Sequence, residues 1–230
     1  MTAMPIYRRV RAQIDDLVSD LIEIGLSDDQ NSPFERAGPD ELVEITFQGS
    51  HHISVASKDV MYREIYDRFK GERAYLVRMA DGALVQMMYI FKEGEIQRHR
   101  LAFFPSPYLE EFQNAPEIYL EDEVYADILD RNIVPFPLRF DFDGRDGVHE
   151  EVTHPMSHLT LGQYRNCRIP VTAPLMPYHF IEFILRNFYH TAHEKYCDLL
   201  TACTGEFVNS IAATERGLIH VQLPIAAAHE

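Results

Sequence analysis

The sequence predicts an α+β fold: an antiparallel β-meander sheet flanked by helices. Strand-like segments come in runs, with the helical patterns outside them. Two Gly-containing turns, Asp81-Gly82 and Glu93-Gly94, separate the alternating segments AYLVRMA, ALVQMMYIFK and EIQRHRLAFF, a strong short-range hairpin signal. Downstream, LRFDFD places Leu138, Phe140 and Phe142 on one face and Arg139, Asp141 and Asp143 on the other, the period of a half-buried strand.

Residues 6–24 read as an amphipathic helix, since Val10, Ile14, Leu17, Leu21 and Ile24 recur at three- and four-residue steps before Gly25. SDDQNSPFERAGPD has no period and reads as a loop or linker. LVEITF and HHISVA read as short strands, and Ser57 as the N-cap of a helix over KDVMYREIYDRFK with Met61, Ile65 and Phe69 on one face. Pro105 and Pro107 end the third meander strand. PEIYLEDEVYADILDR reads as a short helix with Val124, Ile128 and Leu129 inward. SHLTLG and CRIPV are two further strands, and Pro177 opens a long helix over Tyr178 to Cys203. LIHVQLP reads as a closing edge strand. The expected organisation is an N-terminal helix and linker over 1–30 and a single α+β domain over 41–225.

Composition narrows the function classes. The chain has 230 residues, 46% hydrophobic and 25% charged, with 21 Lys+Arg against 36 Asp+Glu and a net charge of −15. That balance weighs against sequence-independent duplex binding, which depends on basic phosphate contacts, while leaving room for a local basic groove. No run of about 18 apolar residues exists to span a membrane. The first residues, MTAMPIYRRVRAQIDDL, lack the apolar core of a secretion signal. Cys167, Cys197 and Cys203 are odd in number and without metal spacing, so a reducing cytoplasm is the expected compartment.

Polar groups concentrate in one region: Arg139, Asp141, Asp143, His149, His154, His158 and Arg168. Asp141 and Asp143 share a strand face, about 7 Å apart along it. Three readings fit this set. In the first, Asp141, Asp143, His154 and His158 hold a divalent metal such as zinc, manganese or iron. In the second, His154 and His158 act as general base and acid in metal-free phosphodiester cleavage, with Arg168 or Arg139 stabilising the phosphate charge. In the third, the residues form a structural network of turns and ion pairs. Arg98 and Arg100 share a face of the third meander strand while His99 points away. That pair suits either a phosphate contact or a balance to the acidic surface. His190 and His193 lack the His-Glu-x-x-His order of a zinc protease, and Cys167 reads as a buried small residue. There is no Gly-x-Gly-x-x-Gly, P-loop or Gly-x-Ser-x-Gly.

The motif order RFDFD, HPMSHLTLG and CRIPVTAPLMPYHFIEFILRNFY, preceded by MMYIFKEGEIQRHRLAFFPSP, resembles an uncharacterised bacterial domain-of-unknown-function family over roughly residues 75–190. Members of that family resemble proteins of mobile or antiviral gene neighbourhoods, so the resemblance implies a toxin or defence role without naming a mechanism. The order is also similar to small bacterial toxins with an Arg-x-Asp strand followed by a His-rich turn, from which this chain departs at Thr160.

Together these readings set the expectation of a phosphodiester-cleaving effector of a toxin or defence system, directed at RNA or a nucleotide. Its catalytic residues would be His154, His158, Arg168 and Asp141. The alternative is a non-catalytic subunit whose first helix docks on a protein partner. Convergence of those four residues in one concave pocket would favour the enzyme.

Overall fold

A computed structural model describes residues 4–51, 60–108, 135–164, 166–203 and 205–224. The sequence-predicted strand HHISVA, apart from His51, the Ser57 cap and the helix over PEIYLEDEVYADILDR lie outside these residues.

The order of elements is α1 (Ile6–Glu23), β1 (Ser27–Gln30), β2 (Phe34–Ala37), β3 (Leu42–Thr46), α2 (Tyr62–Gly71), β4 (Val77–Met79), β5 (Leu84–Lys92), β6 (Glu95–Phe104), β7 (Leu138–Asp143), β8 (Ser157–Leu161), β9 (Ile169–Pro170), α3 (Pro177–Phe188) and α4 (His190–Tyr196). The strands form one antiparallel sheet in which β4 to β9 are neighbours in chain order, the expected meander extended by three strands. The β5–β6 turn has both Glu93 (φ 52°) and Gly94 (φ 84°) in the left-handed region, the type I′ geometry whose twist matches the flanking strands. β1 pairs with β4, β3 with the far half of β5, and β2 with β3.

Alternation divides the sheet into two faces. On one, Val85, Met87, Tyr89, Leu101, Phe103, Leu138 and Phe140 are buried in a cluster with Val10, Ile14, Leu17 and Leu21 of α1 and Phe180, Ile181, Ile184 and Leu185 of α3. The apolar stripe of α1 is therefore used within the chain's own core. On the opposite face, Leu84, Ala102 and Phe104 pack with Ile65, Tyr66 and Phe69 of α2 in a smaller cluster. The remainder of this second face is mostly polar, with Met88 and Ile90 among its apolar members, and carries the candidate site.

Several local expectations change. Part of the stretch read as a loop pairs as β1 and β2, because edge pairing depends on a neighbouring strand's free ladder and needs no hydrophobic run. Met61 precedes α2 and is exposed, while Tyr66 takes a core position. The long C-terminal helix breaks at Tyr189 (φ −137°, ψ 54°). That side chain turns inward, packs edge-on against Phe103 and donates its hydroxyl hydrogen bond to the Asp81 carboxylate at 2.9 Å. LIHVQLP contributes one parallel bridge, Val171 to Val221, in place of a strand. Cys167 is half-buried rather than buried, and all three cysteines are free thiols.

Candidate functional site

Register brings the polar side chains together. Arg98 lies opposite Asp143, and Arg100 opposite Asp141, across β6 and β7. Asp141 in turn lies opposite His158 on β8. Directly opposed residues of neighbouring strands point to the same face, so these side chains form one strip across three strands. The strip lines a cavity of about 340 Å³ that also holds Glu44, Met88, Ile90, Arg139, His154 and Arg168. Asp141, His154, His158 and Arg168 thus converge, as do Arg139 and Asp143. His149 is exposed and does not line the cavity.

His158 is 4% exposed, and its Nδ1 lies 2.8 Å from the Pro155 carbonyl oxygen. A carbonyl only accepts, so Nδ1 carries the proton of the neutral ring and Nε2 keeps its lone pair. Nε2 lies 3.8 Å from Asp141 Oδ2. Burial pushes the His158 pKa down; the Asp141 charge opposes this, and His154 and Arg168 push it further down. A neutral, oriented imidazole is the form a general base requires.

His154 reaches the cavity from a tight turn closed by a two-way backbone bridge with Glu150, at 3.0 and 2.7 Å. Its ring stands edge-on to that of His158, with centroids 5.2 Å apart. Pro155 keeps the stretch out of a helix, so it is this turn that supplies the proximity. Val152 at its tip has φ 70°, a strained conformation for a β-branched residue. The buried carboxylate of Glu215 secures the turn from outside, accepting the Val152 N–H at 3.2 Å and the Ala212 N–H at 2.9 Å. Glu215 is far away in sequence, and no local signal marks it.

The carboxylates are committed to guanidinium groups. Arg145 binds Asp143 through Nε (2.9 Å) and Nη2 (2.7 Å), and Arg98 lies 3.4 Å from it. The Arg145 hydrogen bonds and the Arg98 charge hold Asp143 below the usual carboxylate range against the opposing effect of burial. Arg139 pairs with Asp141. Among the described residues no group of three or more His, Cys, Asp or Glu side chains is arranged to hold a metal ion. The expected set Asp141, Asp143, His154 and His158 shares the cavity, but with its carboxylates turned to arginine. His190 pairs with Glu194 and His193 with Glu182. Arg98 and Arg100 prove to be cavity residues. Their shared face was legible from alternation, whereas the match to Asp143 and Asp141 required the register.

Among the described residues no helix is long and apolar enough to cross a membrane. No curated protein and no solved structure matches the chain. A family model described as an uncharacterized conserved protein, DUF2290, matches residues 26–223, well beyond the stretch whose motifs suggested such a family. The chain therefore belongs to the DUF2290 family of uncharacterized conserved proteins.

Proposed function

We propose that the protein cleaves ribonucleotide phosphodiester bonds by metal-independent acid–base catalysis in this cavity. The observation that carries the reading is the pairing of two imidazoles, one of them fixed through Nδ1 on the Pro155 carbonyl, beside Arg168 and Asp141. His158 Nε2 removes the proton of the ribose 2′-hydroxyl, and the freed oxygen attacks phosphorus. The P–O5′ bond breaks, and His154, half-exposed at the cavity, gives its proton to the departing O5′. The products are a 2′,3′-cyclic phosphate and a 5′-hydroxyl end. Arg168 stabilises the charge on the phosphoryl oxygens, and Asp141 stabilises His158 once it is protonated. A cavity rich in arginine focuses positive potential locally within a chain of net charge −15. A toxin- or defence-type effector is the cellular role such an activity would suit.

The test is incubation of the purified protein with short RNA in the presence of a chelator, with end-group analysis of the products. Wild type should release 2′,3′-cyclic phosphate ends, while His158→Ala and His154→Ala should each lower the rate by about 10²–10⁴. Absence of cleavage by wild type, or cleavage by both variants at the wild-type rate, would leave the cavity to a non-catalytic role.

A further inference from the structure

Of the charged groups in the same cavity that the proposed proton transfers do not use, one stands out. Arg100 lines the cavity, yet its Nε and Nη2 atoms are buried with no hydrogen-bond partner among the described residues. Its neighbours on the strip are already matched, Arg98 with Asp143 and Arg139 with Asp141. Burial and the Arg139 and Arg98 charges push the Arg100 pKa down to about 10, with Asp141 opposing, so the side chain is still charged at neutral pH. A guanidinium with two of its three nitrogens buried and unpartnered is destabilising to the folded state unless an anion completes it. Its planar fork of donors matches phosphate oxygens.

The position of Arg100 separates this need from the bond-breaking centre. Arg100 faces Asp141 across one strand pair, and Asp141 faces His158 across the next. Two strand spacings put the Arg100 and His158 backbones about 10 Å apart, with the Asp141 carboxylate between them. A phosphate held by the imidazoles and Arg168 therefore leaves Arg100 open to a different one.

We infer that Arg100, flanked by Arg98 and Arg139, forms a second anion subsite that takes a non-scissile phosphate of the substrate. The subsite itself stands on the unpaired guanidinium. Its role in selecting substrates with a phosphate next to the cleaved linkage rests on the phosphodiester reading above.

Two measurements on the intact protein test it. The first is calorimetric titration with inorganic phosphate at constant ionic strength, comparing wild type with Arg100→Gln, Arg100→Lys and Arg68→Gln. Arg68 of α2 pairs with Glu72, and neither residue lines the cavity, so its variant controls for loss of one charge. Arg100→Gln should lose one bound phosphate or bind at least tenfold more weakly. Arg100→Lys should be intermediate and Arg68→Gln close to wild type. Unchanged affinity and stoichiometry in Arg100→Gln would overturn the subsite. The second needs no variant: wild type should cleave a dinucleotide carrying a 5′-phosphate at least tenfold more efficiently in kcat/KM than the same dinucleotide without it. Equal cleavage of the two would overturn the subsite's role in substrate selection while supporting the phosphodiester reading. Arg100-dependent phosphate binding without cleavage of either dinucleotide would keep the subsite and overturn the phosphodiester reading.

Discussion

His99 on β6 and His158 on β8 lie on opposite faces of the sheet, with β7 between them, and both are neutral for the same reason. His99 accepts the Leu175 N–H at Nε2 (3.1 Å) and packs between Tyr89 and Phe142, with ring centroids 5.6 and 5.9 Å away. Burial pushes its pKa down to about 4 and that of His158 down as well. Both folded values lie below the unfolded one near 6.5, so the folded state binds fewer protons. Their neutral forms leave stability undiminished above about pH 6.5, and it is lost progressively as pH falls toward the folded values. Urea unfolding between pH 7.5 and 4.5 should show stability falling by up to about 1.4 kcal/mol per pH unit for each histidine. A profile flat across that window would contradict the buried neutral assignment. Glu215 acts on the site at one remove, as a positioning residue. Glu215→Gln replaces an acceptor oxygen by an NH₂ facing a backbone N–H, and should cost about 1.5–3 kcal/mol. It should also slow RNA cleavage while leaving inorganic phosphate binding at Arg100 intact, which general unfolding would not do.

At the scale of elements, the Glu150–His154 turn trades stability for the placement of an imidazole. Val152 is exposed at its tip, so Val152→Gly loses little packing and relieves the positive φ. It should raise the unfolding free energy by about 1 kcal/mol and lower the cleavage rate by loosening His154. Lower stability in Val152→Gly by the same denaturation measurement would show that the turn is not strained. Helix α1 makes the opposite case: its stripe shows that it is a helix, and the fold decides that the stripe packs in the core instead of serving as a docking arm. Leu17 is fully buried against the sheet, so Leu17→Ala should cost about 2–5 kcal/mol in the same assay. An effect below 1 kcal/mol would mean that α1 is a detachable arm.

Over the whole molecule, the charge of −15 surrounds a cavity lined by Arg98, Arg100, Arg139 and Arg168. The long-range field repels a polyanion, while the local field attracts a phosphate. Surface charges are screened beyond about 10 Å at 0.1 M salt, so added salt weakens the outer repulsion more than the recessed attraction. Raising salt from about 0.02 to about 0.2 M should therefore raise the initial cleavage rate of long RNA relative to a dinucleotide. If the ratio falls, ordinary counterion release governs binding and the acidic surface is no barrier.

The α+β class, the meander, the helix α1 and the alternation of LRFDFD are all legible in the amino-acid pattern. Each of these depends on a period within one segment, on a turn dipeptide or on a helix stop. The pattern also singled out Asp141, His154, His158 and Arg168, because unusual polar residues cluster there. Tertiary structure alone decided that Arg100 faces Asp141, since a strand's period says which residues share a face but not which partner they meet. Only tertiary structure broke the last helix at Tyr189, where a distant Asp81 carboxylate outweighs local helical preference. It also tied the His154 turn to Glu215, 63 residues beyond Val152. Periodicity is a local property of the chain, whereas charge pairing and burial depend on neighbours that the fold brings together.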